Sequence, residues 1–439
     1  MITILYIIGF LLFFHGVYQL IKYLIVIPKI KKNFFNTTFT VKNYLEKTYK
    51  ILVLVPILHE EKTIEKFLTD LSNQDYPKDF YEVYVVTTQK EYSENIEPNT
   101  IDILKQIISE NKFPKLRLTI IHYPDAEGFK THQLDFAFNQ IRKNIGDIAV
   151  SESFFLFLDA DSEVDVNTLA RFNSSIENGT EIYQQPLLWF KNIDTLKSSL
   201  MYSFAFLQSF FSISYEIPMF IGKFCPWRLK YFVGHGLCIR GSFIIRVGGF
   251  PDIIEDVRLG RLSSFLNVKA KLVPGFGIVE TAKSLSVYIK QSSIWFFGCG
   301  LFISDYLFAR SLRKTKSVTM KDFVLIFYGF FKAFRWLNKG LFHLAGLIFS
   351  LAYMSIPLFV LFVSSLLLNS TIPVFLVSKD FKGIWRKKLN NRNGTIVLFR
   401  SVLFSPILYM LNFIGLYYGL YKLLKFYLWG QITLPKTER

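Results

Sequence analysis

Apolar positions along this chain fall into three zones with different periods. Residues 2 to 28 (ITILYIIGFLLFFHGVYQLIKYLIVIP) form one nearly unbroken apolar run, long enough as a helix to cross the roughly 30 Å hydrocarbon core of a bilayer. The run lacks a charged leader and a small-residue cleavage site, so residues 1–28 are expected to be a retained anchor and not a signal peptide. From residue 50 to 284 short apolar runs alternate with amphipathic stretches. ILVLVPIL (51–58), YEVYVVTT (81–88), LRLTIIHY (116–123) and SFFLFLDA (153–160) predict strands, and 61–73, 100–111, 127–144 and 165–178 predict helices. Strands this continuously apolar need a sheet covered on both faces, and the βαβ spacing supplies the covering helices. Residues 50–284 are therefore expected to be a Rossmann-like α/β domain.

The third zone is apolar again but less evenly so. Residues 194–220 and 285–309 are too apolar for a water-facing helix and too polar to span, which predicts helices lying in the membrane interface. Residues 322–337, where Phe and Trp mix with Lys332 and Arg335, have the same character, so 285–340 is expected to be interfacial. Leu341 to Val377 is too long for one span and is interrupted by Pro357, predicting a hairpin of two short helices. A last run, 395–429, carries Arg400 and Pro406 and leads into a polar tail at 430–439. The expected order is anchor, α/β domain, interfacial helices, then transmembrane helices over 341–429.

Charge fixes the orientation. Lys and Arg exceed Asp and Glu by 17. Residues 29–50 carry net +5, 310–339 net +7 and 379–392 net +5, so these three segments account for the whole excess. A nucleic-acid-binding protein would carry it on the folded domain. Here it borders apolar runs, as cytoplasmic loops facing anionic headgroups do, which excludes nucleic acid and places the α/β domain inside. Cys225, Cys238 and Cys299 are odd in number and widely spaced, as for reduced thiols. Lys-, Ile- and Phe-rich usage points to a prokaryote, hence to a multi-pass protein of its cell membrane.

Several side chains are placed for chemistry. Asp159 and Asp161 emerge together at the carboxyl end of an apolar strand, the edge where open α/β sheets bind ligands. Two such carboxylates can share a hard cation whose shell is completed by phosphates, though Asp161 or Ser162 also suits a helix cap. Pro56 leads to His59, Glu60 and Glu61 at another strand end, where acids either meet a ribose or cap the following helix. Gly128, Phe129 and Lys130 open a helix and present a cation and backbone N–H groups to a diphosphate. Gly234, His235 and Gly236 let backbone approach a ligand closely. Glu255 and Asp256 are adjacent carboxylates, and burial plus mutual repulsion raises such a pair toward the working range of a general base. Gln291 and Trp295, four apart, share one helix face and can hold a sugar ring.

In order, VPxxxEE, GxK, DAD after an apolar strand, QQP at 184–186, GHG, GGF with ED, and QxxxW resemble the membrane-bound family 2 glycosyltransferases, among them cellulose, chitin and hyaluronan synthases and their non-processive relatives. The resemblance covers roughly residues 50–300. It implies a GT-A fold, with Pro56 and Glu60 near the nucleoside, Lys130 near the diphosphate, Asp159 at the nucleotide, and Asp161 with Asp159 on Mg²⁺ or Mn²⁺. It further implies His235 and Gln185 with Pro186 at the donor, Asp256 as base beside Glu255, and Gln291 with Trp295 toward the acceptor. Three positions depart from the pattern. The second strand ends in Thr87-Thr88-Gln89-Lys90-Glu91 without the usual Asp, His59 stands where Asn is usual, and Ile294 replaces the Arg of the processive QxxRW signature.

The resulting expectation is an inverting, metal-dependent glycosyltransferase of the non-processive branch, with a nucleotide-sugar donor, UDP-linked by preference and GDP-linked as the alternative. Its acceptor would be lipid-linked or membrane-proximal, in surface glycan or glycolipid synthesis among membrane lipids. A processive polysaccharide synthase and a non-catalytic scaffold of a glycan-assembly complex are the competing readings.

Overall fold

The structure is a computed structural model that describes residues 1–32, 47–94, 98–221, 225–313, 317–389 and 392–430. The tail expected at 430–439 lies outside the described residues from 431 onward.

The chain opens with helix α1 (Ile2–Ile30) and enters the sheet at β1 (Ile51–Pro56). There follow α2 (Ile64–Ser72), β2 (Tyr81–Thr88), α3 (Thr100–Ser109), β3 (Leu118–Tyr123), α4 (Lys130–Ile145), β4 (Phe154–Phe157) and α5 (Thr168–Ser175). All four expected strands form. Strands β1 to β4 pair in parallel, with Ile51 beside both Tyr81 and Phe154. Side chains of a strand alternate between faces, so Leu52 and Leu54 pack with Leu134, Phe138 and Ile141 of α4, while Ile51, Val53 and Val55 pack with Phe67, Leu68 and Leu71 of α2. Both faces are dry, as the unbroken apolar strands require.

Beyond β4 the chain adds β5 (Ile182–Gln184), β6 (Leu187–Leu188), α6 (Ser199–Phe211), β7 (Leu237–Arg240), α7 (Glu255–Phe265), β8 (Ala270–Leu272) and β9 (Gly277–Ile278). The main sheet runs β3-β2-β1-β4-β7-β5-β8, with β7 antiparallel to both neighbours. This is a mixed α/β sheet with a GT-A-like core.

Helices α8 (Leu285–Gly300) and α9 (Phe302–Leu312) meet at a 42° bend. Next come α10 (Met320–Ala352), α11 (Ile356–Asn369), α12 (Thr371–Asp380) and α13 (Gly394–Trp429). Helix α1, the segment 356–380 and α13 are long and apolar enough to cross a membrane, and the bent α8–α9 pair adds a fourth if it counts as one span. Helix α13 lies along α8 at close range. A Cβ at Gly419 would fall 2.4 Å from the Ser293 carbonyl oxygen, so only glycine admits this approach.

One element differs from the expected layout. The boundary at 340/341 falls inside α10, whose 33 residues join the expected interfacial stretch to the first arm of the expected hairpin. Its two halves carry different compositions but nothing that ends a helix. The chain breaks at Met354, in the left-handed region at φ 49°, and Pro357 then sits in the first turn of α11, where a missing N–H costs nothing.

Candidate active site

The end of β4 meets the start of two helices here. After Phe157 the backbone N–H of Asp159 donates to His235 Nδ1 at 3.1 Å, which leaves the imidazole proton on Nε2. The Asp159 carboxylate receives Lys130 Nζ at 2.7 Å from the first turn of α4. The 234–236 loop is stitched on both sides, Gly236 N–H to the Phe157 carbonyl at 2.9 Å and its own carbonyl to Gln185 N–H at 2.8 Å. A Cβ on Gly234 would lie 3.3 Å from both Asp256 Oδ2 and Lys130 Nζ. Glycine here keeps open the point at which the cation and the carboxylate converge.

Asp256 lies in the first turn of α7. The two residues before that helix, Ile253 and Ile254, have φ of 60° and 57°. Left-handed backbone is costly for β-branched residues, by about 1–3 kcal/mol each. The turn is held by Arg258, whose guanidinium donates to the Asp252 carbonyl at 2.7 Å, and by burial of Ile253 beside Phe297, Leu301 and Leu423. The neighbouring carboxylates then separate. Glu255 turns inward to accept from the buried Thr131 hydroxyl at 2.9 Å, tying α7 to α4. Asp256 turns to the cavity. Burial, then the adjacent Glu255, pushes its carboxyl up to about 7, against the opposing pull of Lys130 and the N–H groups of Val257 and Gly234.

That cavity has a volume of about 280 Å³ and brings together Lys130, Asp159, His235, Asp256 and Trp295. The other expected residues stand off its wall. Asp161 is buried, and its backbone carbonyl accepts from Lys191 at 2.5 Å. Gln185 borders a narrow void beside Pro186. Gln291 is buried on α8, its carbonyl oxygen without a partner among the described residues. Pro56 ends β1, and Glu60 holds the turn into α2, its N–H on Thr100 at 2.9 Å and its carboxylate accepting from Thr63 at 2.6 Å.

Asp159 and Asp161 offer hard oxygen ligands at a strand end, and the lysine ammonium on Asp159 marks a position that favours positive charge. This donor set fits Mg²⁺ or Mn²⁺, which keep sites open for water and phosphate. A second acidic group escaped the sequence reading: one ligand atom each from His59, Glu61 and Glu91 lie within 4.8 Å of one another. Glu91 is buried there accepting from the backbone N–H groups of His59 and Thr100. Trp189 was missed as well. It meets Trp295 edge to face with ring centroids 6.0 Å apart, and its indole N–H has no partner among the described residues. A tryptophan after a two-residue strand carries no local signal.

A GT-A-like core with cation and carboxylates gathered at the carboxyl end of β4 defines a class of nucleotide-sugar enzymes. The sequence matches the model described as glycosyl transferase family group 2 over residues 154–377, just over half the chain, and the model described as glycosyltransferase like family 2 over 49–214. The chain belongs to glycosyl transferase family group 2 and is a glycosyltransferase. Among solved structures it is similar to the mannosyltransferase PcManGT from Pyrobaculum calidifontis in complex with GDP-Man and Mn²⁺, at 17% identity and TM-score 0.53 over 91% of this chain and 98% of that one. It also matches TarS 1–349 of S. aureus at 15% identity and TM-score 0.43, covering 87% and 92%. No curated protein matches the chain.

Proposed function

We propose that the protein is an inverting, metal-dependent membrane glycosyltransferase that moves a sugar from a nucleotide-sugar donor to a lipid-linked acceptor in surface glycan or glycolipid synthesis. The observation that carries this reading is a single cavity lined by Lys130, Asp159 and Asp256 at one end and by residues of the long apolar helices α1 and α13 at the other. Asp256 takes the proton from the acceptor hydroxyl as its oxygen bonds to the anomeric carbon. The bond to the donor diphosphate breaks on the opposite face, which inverts the centre. Lys130 offsets the charge that gathers on the departing diphosphate. Asp159 and Asp161 would hold Mg²⁺ or Mn²⁺, which supplies further charge neutralisation when bound. His235 and Gln185 would line the donor, Trp295 would stack on the acceptor sugar, and the catalytic domain would face the cytoplasm, beside the basic segments.

The test is nucleoside diphosphate release by the purified full chain with Mg²⁺ or Mn²⁺ and a native lipid extract, across UDP-, GDP- and dTDP-sugars. Release from one donor, lost in Asp256→Asn, is expected. Equal release by the variant would remove Asp256 from the mechanism.

A further inference from the structure

Helix α10 is built inside out for a water-facing element. Phe323, Phe327, Phe330, Phe331 and Phe334 share one face and are 50% to 64% exposed. Lys332, Arg335 and Lys339, spaced i, i+3, i+7, share the opposite face. That face lines the cavity that begins at Asp256. A helix that shows phenylalanine outward and three cations inward suits apolar surroundings, and inward charge of that kind is costly unless something answers it.

Among the described residues no carboxylate lies within ion-pair distance of Lys332, Arg335 or Lys339. Lys332 instead sits over the rings of Tyr231 at 4.1 Å and Tyr215 at 4.8 Å, and Lys339 over Tyr409 at 4.9 Å. Rings of this kind hold a cation in place without neutralising it. Apart from Asp159 and Asp256, the described cavity wall carries one carboxylate, Glu216, which accepts from the Tyr231 hydroxyl at 3.0 Å. Burial pushes that carboxyl up, toward its neutral form, against the opposing pull of the Ser212 and Tyr231 hydroxyls and of Lys332. Among the described residues, the Tyr409 hydroxyl, only 7% exposed as a residue, and the Gln19 carbonyl oxygen on the same wall find no hydrogen-bond partner. Three cations and an unpartnered hydroxyl around a void describe a receptor for an anion with several acceptor oxygens.

We propose that this end of the cavity binds the phosphate of a phosphorylated lipid that carries the acceptor sugar. It rests on the glycosyl-transfer reading above and names its acceptor class: sugar hydroxyl at Asp256, phosphate on the α10 cations, acyl or prenyl chain between apolar helices. Arginine suits the role because its planar donors match phosphate oxygens in pairs.

The test is binding of a short-chain prenyl monophosphate to the full chain in detergent. It is followed by intrinsic fluorescence, since Trp189, Trp295 and Trp336 line the cavity. The matching prenyl alcohol and inorganic phosphate run beside it. The expected result is saturable binding of the prenyl phosphate, at least about tenfold weaker binding in Arg335→Gln and in Lys339→Gln, partial recovery in Arg335→Lys, and unchanged nucleoside diphosphate affinity, which also shows that the variants fold. Equal binding of the alcohol overturns the assignment, as does equal binding of inorganic phosphate, which would make this a free-anion site. A parallel loss of nucleotide affinity would give the cations to the donor and overturn it too. A second arm measures nucleoside diphosphate release with acidic and neutral fractions of the native lipid extract. Release with the neutral fraction alone sinks the phosphate assignment while the transferase reading stands. Prenyl phosphate binding without release from any donor does the reverse.

Discussion

At the scale of single residues, Asp256 joins two properties that pull against each other. As the proposed base it must be ionised to work, yet burial and Glu255 hold this carboxyl up to about 7. Turnover is therefore expected to fall about tenfold per pH unit below that value and to level off above it, and the pH profile of kcat/KM checks this. Asp256→Asn is expected to lose about a thousandfold in kcat. Its stability moves the other way. The folded chain keeps the Asp256 proton through the window from about 4 to about 7, in which the unfolded chain has released it. Wild type thus loses stability as pH rises across that window, and the variant has no such loss. Melting curves at pH 3.5 and pH 8 should show the variant ahead only at the higher pH, by a few °C. The order of motifs and the carboxyl end of β4 made Lys130, Asp159 and Asp256 legible in the sequence. The divergence of Glu255 and Asp256 was not, because it depends on two isoleucines in left-handed backbone. Nor was Trp189, which meets Phe204 of α6 and Trp295 of α8, residues far from it in sequence.

At the scale of elements, α7 hangs from α9. Asp305, fully buried, takes Arg258 at 2.6 Å and Arg261 at 2.9 Å. Removing it strands a buried guanidinium, so Asp305→Ala is expected to cost about 3–5 kcal/mol. Thermal unfolding in detergent measures this, and Arg261→Met together with Asp305→Leu should recover part of it. The turn at 253–254 is spring-loaded in the same sense. A library randomised at Ile253 and Ile254 and selected for heat resistance should enrich glycine and asparagine, while selection for turnover should return bulky residues that fix the aim of Asp256. Strand periods were readable because burial on two faces leaves an unmistakable apolar run. Helix α10 was cut in two by the sequence reading because its hydropathy changes midway. The spacing of Lys332, Arg335 and Lys339 against five phenylalanines on the far face carried the signal that hydropathy averaged away.

At the scale of the whole molecule, catalytic and membrane parts share one core. Tyr23, Val26 and Ile27 of α1 pack in a single cluster with Phe190, Met201 and Phe206 of the catalytic domain and Val374 and Trp385 near the C-terminal helices. A fragment 47–284 would expose that surface, and size-exclusion chromatography without detergent is expected to return it as aggregate. The order anchor, α/β domain, helices was legible because length and hydropathy report it directly. The joint was not, because it is made of side chains far apart in sequence, as in the Glu163–Lys388 pair at 2.5 Å. One such joint would set the scale of the product under the proposed chemistry. Arg258 and Arg261 on Asp305 fasten α7 to α9, and Arg313 on Asp322 at 2.6 Å fastens the end of α9 to α10, so α7 does not swing on a tether. Under the proposed chemistry the molecule is then a gauge. It reaches only an acceptor whose hydroxyl stands at one height above its lipid, and each addition lifts the new end out of register, so chain length is ended by distance alone.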